Sequence, residues 1–227
     1  MTAIEPRAIG LPAIELAGVT KAHGDAPPVL AGLDLVVGAG EIVAVAGRSG
    51  SGKTTLLSLI AGWERAEDGS LLVLGRPHPE ELPWSDLAIV PQSLGMLDEL
   101  TLAENIASPQ RLARGKAAGG STSDAVGSMI DRLGLDRCAN RAPSEVSLGE
   151  QQRAALARAA VLGPAVLIAD EPIAHQNSGW AREMMSMLVD LSTAGTAILL
   201  ATHNEIAFES AQRILHLRAG RLVPADR

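Results

Sequence analysis

Short apolar runs bounded by glycine or proline recur along the chain and predict β-strands. Three runs are apolar at consecutive positions, as strands buried on both faces of a parallel sheet are. These runs cover Ile42–Ala46 and residues 165–169 and 196–201. Residues 14–19 and Leu30–Val37 predict half-exposed antiparallel strands, and residues 70–74 predict another strand. The sequence therefore predicts both buried and half-exposed strands.

Helical patterns lie between the buried strands. They cover residues 53–61, 149–162 and 178–194. Each pattern ends just before a glycine, the residue that most readily adopts the left-handed conformation after a helix. Strands that alternate with helices are typical of an α/β sheet, so we predict an α/β fold.

The middle third of the chain predicts a helical insertion in the α/β core. A length of 227 residues suits a single domain that carries a small insertion. We expect one domain over residues 1–227, with the insertion at about residues 88–163 and the core at about 1–87 and 164–227. Residues 114–128 are rich in Gly, Ala and Ser and predict a flexible loop, with a helix at 124–133.

Charge and apolar content disfavour several classes of protein. Lys and Arg total 19 against 26 Asp and Glu, a net charge of −7 that disfavours a general nucleic-acid binder. Apolar residues make up 47%, yet no run reaches the roughly 18–20 residues of a membrane-spanning helix. The first 20 residues carry charges and prolines in place of a secretory segment. Cys138 is the lone cysteine, which excludes an internal disulfide and fits a reducing cytosol.

The most specific motif follows the first buried strand. The segment G-R-S-G-S-G-K-T matches the phosphate-loop pattern G-x-x-x-x-G-K-[ST] between a strand and a helix. Its backbone N–H groups and the positive end of the helix favour phosphate oxygens. Lys53 would bridge β- and γ-phosphate, and Thr54 would offer its hydroxyl to Mg²⁺. The alternative is a chance glycine-rich turn, which the flanking elements disfavour. The predicted nucleotide-binding residues here are Gly47, Arg48, Ser49, Gly50, Ser51, Gly52, Lys53, Thr54 and Thr55.

Two carboxylates end the second buried strand, in the segment A-V-L-I-A-D-E-P. Asp170 would meet Mg²⁺, through water, and Glu171 could polarise an attacking water as a general base. The alternative is a strand end with solvated acids. The phosphate loop predicted in the same sheet favours the functional interpretation.

Three further motifs carry a family resemblance. Gln92 ends the segment I-V-P-Q, residues 146–153 read V-S-L-G-E-Q-Q-R, and His203 ends L-A-T-H. With the phosphate loop and the acidic strand end, these motifs resemble those of the ATP-binding cassette (ABC) ATPases, in the order of that family. The resemblance covers about residues 14–222. It implies a P-loop NTPase fold of ABC type, with an antiparallel β subdomain and a helical subdomain.

The resemblance also implies a mechanism. ABC ATPases form a head-to-tail dimer, here a homodimer or a heterodimer with a second ABC ATPase, that encloses two ATP molecules. Ser147, Gly149 and Gln151 of one chain would then bind the nucleotide held by the other. Glu171, His203 and Gln92 would be catalytic, and the metal ligands would be Thr54, Gln92 and Asp170. The cofactors implied are ATP and Mg²⁺.

Each of these features has a simpler interpretation. Ser147 and Glu150 form an S-x-x-E capping box that could simply start a helix, and we expect Ser147 to do both, since the N-terminus of a helix suits a phosphate. A single histidine after a strand is usually structural. His203 supports the resemblance only because it follows the strand at which the family has its histidine. Residues 100–106 could be plain amphipathic helix, although in the family this region lies near the coupling helix of the membrane partner.

Four positions depart from the family pattern. Aromatic residues are 2% of the chain, with no tyrosine, and His23 stands where the family stacks adenine on an aromatic ring. Leu148 replaces the first signature glycine, Ile173 replaces a threonine, and Asn177 replaces an aspartate. We expect weaker adenine binding and slower hydrolysis or looser coupling between sites, in an ATPase that stays active because Glu171 is retained.

The segments at residues 99–105 and 133–135 and the E-Q-Q-R end of the signature most resemble the branch of lipoprotein-releasing and macrolide-exporter ATPases. This implies a peripheral ATPase at the cytoplasmic face of the plasma (inner) membrane. It would drive a permease made of separate integral-membrane subunits, with no nucleic-acid partner. One alternative is a weakly hydrolysing, nucleotide-gated regulatory subunit, as in cell division. The other is a soluble non-transport ABC ATPase.

Overall fold

A six-stranded, mostly parallel sheet forms the centre of the molecule. The computed structural model describes residues 12–24, 26–114 and 122–225. The strands of this sheet are β3 (Ile42–Ala46), β5 (Leu87–Val90), β6 (Val166–Asp170), β7 (Ala197–Ala201), β8 (Arg213–Arg218) and β9 (Arg221–Pro224). Their order is β5-β6-β7-β3-β8-β9, and β9 alone of these strands runs antiparallel to its neighbour. All residues of β3, β6 and β7 are buried, as their unbroken apolar sequences predict.

A smaller antiparallel sheet packs beside the first. It contains β1 (Ile14–Lys21), β2 (Leu30–Val37) and β4 (Asp68–Val73), in the order β2-β1-β4. The buried side chains of β2 are Leu30, Leu33, Leu35 and Val37. From Leu33 onward they alternate with exposed ones, which is the pattern of a strand with one face on the core.

Six helices cover the sheets in the described residues. They are α1 (Lys53–Ile60), α2 (Leu102–Arg114), α3 (Thr122–Arg132), α4 (Leu148–Ala160), α5 (Ser178–Thr193) and α6 (Glu205–Ser210). Single 3-10 turns occupy Pro79–Glu81 and Pro143–Glu145. Asn177 caps α5 by accepting a hydrogen bond from the Trp180 N–H at 3.0 Å. No helix among the residues described is both long and apolar enough to cross a membrane.

Helix α4 is buried along most of its length. Every residue from Gln152 to Ala160 is buried, and alanines fill most of these positions. Small side chains let the helix lie close to its neighbours, while Gln152, Arg153 and Arg158 bring polar groups into the same layer. Those groups need internal hydrogen-bond partners, because burial removes them from water.

The structure refines the bounds of two features predicted in the middle third. The helix predicted at residues 124–133 is confirmed as α3, which begins two residues earlier, at Thr122, within the segment predicted as a loop. Residues 115–121 of that predicted loop lie outside the described residues. Ala125, Val126, Met129 and Ile130 of α3 pack on the core, and this apolar stripe stabilises the helix at the end of the Gly-, Ala- and Ser-rich segment. The insertion predicted from residue 88 starts inside β5, which pairs with β6 and so belongs to the central sheet.

The segment before α2 contains a capping box of its own. Thr101 and Glu104 exchange hydrogen bonds across the first turn of the helix. Asn105 is fully buried and bonds backbone groups of Leu97 and Leu100. This part of the chain is therefore held in place by polar contacts that the apolar pattern alone does not predict.

Candidate functional site

The predicted site residues gather at one edge of the central sheet. Parallel strands end at a common edge, and β5, β6, β7 and β3 are neighbours there. Gln92, Asp170, His203 and the phosphate loop each follow one of these strands. The strand order thus brings together residues that are far apart in the sequence.

The loop between β3 and α1 depends on glycine. Gly50 and Gly52 have φ angles of 76° and 102°, in the left-handed region that side chains disfavour. A Cβ at position 52 would lie 2.7 Å from Val29 Cγ1, which leaves no space for a side chain. No side chain caps α1, so its first backbone N–H groups stay available to an anion.

Lys53 crosses this loop from the first position of α1. Its Nζ donates to the carbonyl oxygen of Gly47 at 2.8 Å and to that of Arg48 at 3.4 Å. The ammonium group is therefore held among the backbone groups of the loop. This is where a phosphate bound by the loop amides would lie.

Asp170 is a buried carboxylate at the end of β6. Only 5% of the residue is exposed, and its Oδ2 accepts a hydrogen bond from Thr54 Oγ1 at 2.7 Å. Burial raises the pKa of Asp170, and the nearby Glu171 adds to the rise, while the Thr54 hydrogen bond and Lys53 oppose it. A carboxylate and a hydroxyl side by side are oxygen ligands suited to Mg²⁺.

A cation here would need oxygens from the nucleotide as well. In the described part of the chain, no group of three or more His, Cys, Asp or Glu side chains could hold a metal ion. Mg²⁺ is commonly bound by one or two carboxylates together with substrate phosphates. The Thr54 and Asp170 pair fits that arrangement.

Glu171 is fixed at both carboxylate oxygens. Its Oε1 lies 2.6 Å from His203 Nδ1, and its Oε2 accepts from Thr202 Oγ1 at 3.0 Å. The backbone of Glu171 is left-handed, with φ at 49°, and its N–H donates to the Ala201 carbonyl at 2.8 Å. A non-glycine residue in this conformation is strained and persists only where neighbours hold it. These contacts hold Glu171 beside the cavity that the phosphate loop also lines.

A cavity of about 750 Å³ joins these groups. Its volume is in the range of small-molecule and cofactor sites. The predicted residues that line it are His23, Gly47, Arg48, Ser49, Gly50, Gly52, Lys53, Thr54, Thr55, Gln92, Asp170, Glu171 and His203. Ser51 does not line this cavity: its hydroxyl is buried beneath Gly47 and has no hydrogen-bond partner among the described residues.

Three predicted nucleotide-binding residues lie outside the cavity of their own chain. Ser147 caps α4 and exchanges hydrogen bonds with Glu150, so its predicted capping role is confirmed. Gln151 donates to the Pro143 carbonyl at 2.8 Å and holds the turn before the helix. Gly149 belongs to the same first turn of α4. These residues stay predictions for a second copy of the chain.

Two of the unusual positions have roles inside this chain. Asn177 is the cap of α5, and Ile173 is fully buried in the core. His23 is about half exposed, and its Nδ1 lies 3.9 Å from the Glu64 carboxylate at the edge of the cavity. Leu148 is 48% exposed beside Gly149, so its side chain needs no room in the core.

Sequence reasoning missed several residues of the site. Thr202 binds Glu171, and Gln152, Ala174 and His175 line the cavity. Gln152 donates to the backbone carbonyl of Glu171 at 2.8 Å. The available signal was a polar side chain inside an alanine-rich helix, because such a residue must find an internal partner.

The fold and the cavity define a P-loop nucleotide-binding α/β domain with an acidic strand end at its metal position. A family model described as ABC transporter matches residues 30–174. The chain therefore belongs to the ABC transporter family, and it is an ATPase domain of that family. The predicted fold class and family are thereby confirmed.

Relatives in two subfamilies match over nearly the whole chain. The lipoprotein-releasing system ATP-binding protein LolD of Anaeromyxobacter dehalogenans is 34% identical over 226 residues, which cover 95% of this chain and 94% of LolD. The macrolide export ATP-binding/permease protein MacB of Nitrosomonas europaea is 34% identical over 223 residues, or 93% of this chain. The chain spans 34% of the length of that MacB. Both names belong to the predicted branch, which is confirmed.

A solved structure gives the same fold. The dimeric post-hydrolysis state of the ATP-binding cassette MJ0796, bound to ADP and Pi, matches with a TM-score of 0.83 and 25% identity. The match covers 94% of this chain and 98% of that chain. The similarity thus extends over the central sheet, the smaller sheet and the helical region.

Proposed function

We propose that the chain binds and hydrolyses ATP as a dimer and thereby drives a separate membrane permease, at the cytoplasmic face of the inner membrane. The main support is the cavity that Lys53, the Thr54–Asp170 pair and Glu171 line together, with both carboxylate oxygens of Glu171 bound. These are the groups needed to bind a triphosphate, hold its metal ion and activate water.

Each of these groups has a defined task in this proposal. The loop amides and Lys53 hold the β- and γ-phosphates, where developing charge is stabilised. Thr54, Asp170 and Gln92 would hold Mg²⁺, which would neutralise phosphate charge when bound. Glu171 accepts a proton from the attacking water, and His203 holds the carboxylate and contacts the γ-phosphate.

A second copy completes the site in the proposed dimer. Ser147, Gly149 and Gln151 lie at the N-terminus of α4, away from their own chain's cavity, and that helix end favours an anion. Two dimeric structures of the similar cassette MJ0796 support this arrangement. The rate of phosphate release per chain should therefore rise with chain concentration. A rate near background, with ATP-driven dimerisation retained, would favour the regulatory alternative.

An apolar groove is the proposed permease contact. This groove of about 290 Å³ is lined by Trp63, Trp84, Ile89, Pro91, Gly95, Leu97, Ser108, Pro109, Leu112 and Arg158. Trp63, Leu97 and Leu112 are 60%, 48% and 79% exposed, a concentration of large apolar side chains that is typical of an interaction surface.

The groove also contains buried hydrogen-bond donors. Arg158 donates to the carbonyls of Leu94 and Gly95, and burial lowers its pKa. Its Nε and the indole N–H of Trp84 are buried without a hydrogen-bond partner among the described residues. Unpaired buried donors are costly, so they favour a permease segment that brings a carbonyl or carboxylate acceptor.

Replacing Leu112 with aspartate tests this contact. Because Leu112 is 79% exposed, the change should leave folding and the ATP turnover of the purified chain nearly unaltered. We expect the membrane-bound fraction of the chain in cell extracts to fall about 10-fold, since a desolvated charge would oppose docking. The matched control is Val189→Asp on α5, an exposed apolar position outside the groove. Equal membrane recovery of L112D and wild type would contradict the assignment.

Replacing Asp170 with asparagine should separate stability from activity. The raised pKa means that folded Asp170 keeps its proton to a higher pH than unfolded Asp170 does. The ionised group therefore opposes folding as the pH rises through its folded pKa. Without nucleotide or metal, D170N should melt above wild type at pH 7.5, with a smaller difference at pH 4.5, in thermal unfolding scans. Mg²⁺-dependent turnover should fall at least about 10²-fold, and retained turnover would contradict the metal role.

A further inference from the structure

The side-chain amide of Gln176 joins the loop after Glu171 to helix α4. Its Nε2 donates to the Gly149 carbonyl at 2.9 Å and to Gln152 Oε1 at 3.1 Å. Its Oε1 accepts from Arg153 Nη1 at 3.1 Å. Both ends of the amide are thus bound to residues of the first turns of α4.

Gln152 holds the other end of the same loop. Its Nε2 donates to the Glu171 carbonyl at 2.8 Å, and its Oε1 also accepts from the His175 N–H at 3.1 Å. The residue is 2% exposed, so water does not compete for these bonds. The two glutamines therefore attach both the start and the end of the segment from Glu171 to Gln176 to α4.

This attachment has a rigid support. Arg153 is 7% exposed, donates through Nε to the Leu133 carbonyl at 2.8 Å, and lies 4.5 Å from the centroid of the Trp180 ring. The loop also packs tightly on α4: a Cβ at Gly149 would lie 3.1 Å from the His175 carbonyl oxygen. A movement of the first turn of α4 therefore moves the loop as well.

We propose that Gln176 is a positioning residue that couples the first turn of α4 to the catalytic carboxylate of Glu171 in the same chain. This rests on the proposed function, in which that turn binds the nucleotide of a second copy. Nucleotide held by one copy contacts Gly149 of the second copy. Gln176 and Gln152 of that second copy then transmit the contact to the backbone of its own Glu171. The strained φ of Glu171 makes its conformation dependent on such contacts.

Two substitutions of Gln176 test the coupling. Gln176→Leu keeps the approximate size and removes all three hydrogen bonds, while Gln176→Glu keeps the acceptor for Arg153 and removes the two donors. Both should lower kcat for ATP about 10-fold, because the Glu171 backbone would lose part of its positioning for the chemical step. The Hill coefficient for ATP should fall to about 1, while nucleotide affinity at chain concentrations too low for dimerisation stays unchanged.

The control is Gln212→Leu, which removes a side-chain hydrogen bond to the Ile42 N–H, at the start of β3 and outside the site. It reports the effect of lost stability without lost coupling, so its Hill coefficient should match wild type. Gln152→Leu combined with Gln176→Leu should lower kcat by less than the product of the single effects, because both act through one network.

The outcomes separate this inference from the proposed function. If wild-type turnover does not depend on Glu171, the proposed function fails. The positioning role alone is overturned if turnover depends on Glu171 and the Gln176 variants keep the wild-type kcat. It is also overturned if these variants keep the wild-type Hill coefficient, and a wild-type coefficient of 1 counts as this outcome.

Discussion

The Glu171→Gln variant is expected to hydrolyse ATP about 10²–10⁴-fold more slowly than wild type while it still binds ATP. Glutamine has the size of glutamate and can still accept the hydrogen bond from Thr202. It cannot take a proton from water, so the loss falls on the chemical step. Because binding depends on the phosphate loop on the other side of the cavity, we expect nucleotide affinity to change little.

Steady-state phosphate release and equilibrium nucleotide binding, measured on the same protein, check this result. The control is Glu209→Gln, which neutralises an exposed carboxylate that pairs with Arg182 at 3.0 Å, on α6. Equal rates in E171Q and wild type would remove Glu171 from the reaction. A fall in binding that matches the fall in rate would instead make Glu171 a structural residue of the cavity.

The local parts of the site could be predicted from the sequence. The strand, glycine loop and helix around Lys53 are contiguous, so the chain supplies their geometry without help from distant residues. Asp170 and Glu171 could be predicted for a similar reason, because an apolar strand ends in two acids. Strand order in a parallel sheet then determines which of these ends are neighbours.

Tertiary contacts explain the parts that could not be predicted. Helix α3 begins at Thr122, two residues before its predicted start, because its packing on the core stabilises a first turn made of polar and small residues. Gln152, Gln176 and Thr202 act through partners that lie far from them in the sequence. No spacing rule marks such partners, although polar residues in a helix as alanine-rich as α4 indicate that partners exist.

The departures from the family pattern also become clearer in three dimensions. Asn177 and Ile173 contribute to the fold of this chain, as a helix cap and a core residue. Their effect on the reaction would therefore pass through the loop between Glu171 and α5. That loop is the segment held by Gln176, so the predicted slower hydrolysis and the proposed coupling concern the same structural element.

The Lys53→Ala variant is expected to lose about 10–100-fold in affinity for ATP, together with turnover at ordinary ATP concentrations. Hydrogen bonds to charged groups contribute roughly 1.5–3 kcal/mol each, and Lys53 is the cation held inside the loop by the carbonyls of Gly47 and Arg48. Its removal leaves those carbonyls facing the phosphates, which adds repulsion to the lost attraction. The loop itself should persist, because glycine conformations and the start of α1 define it.

Titration with a fluorescent ATP analogue at constant ionic strength measures this loss. Arg182→Ala is the matched control, since it removes the same charge from an exposed ion pair and should leave affinity unchanged. Unaltered nucleotide affinity in K53A would mean that the triphosphate lies elsewhere, and the tasks assigned to Thr54, Asp170 and Glu171 would fail together. A parallel loss in K53A and R182A would instead indicate a nonspecific effect of net charge, because only the contact inside the loop depends on position.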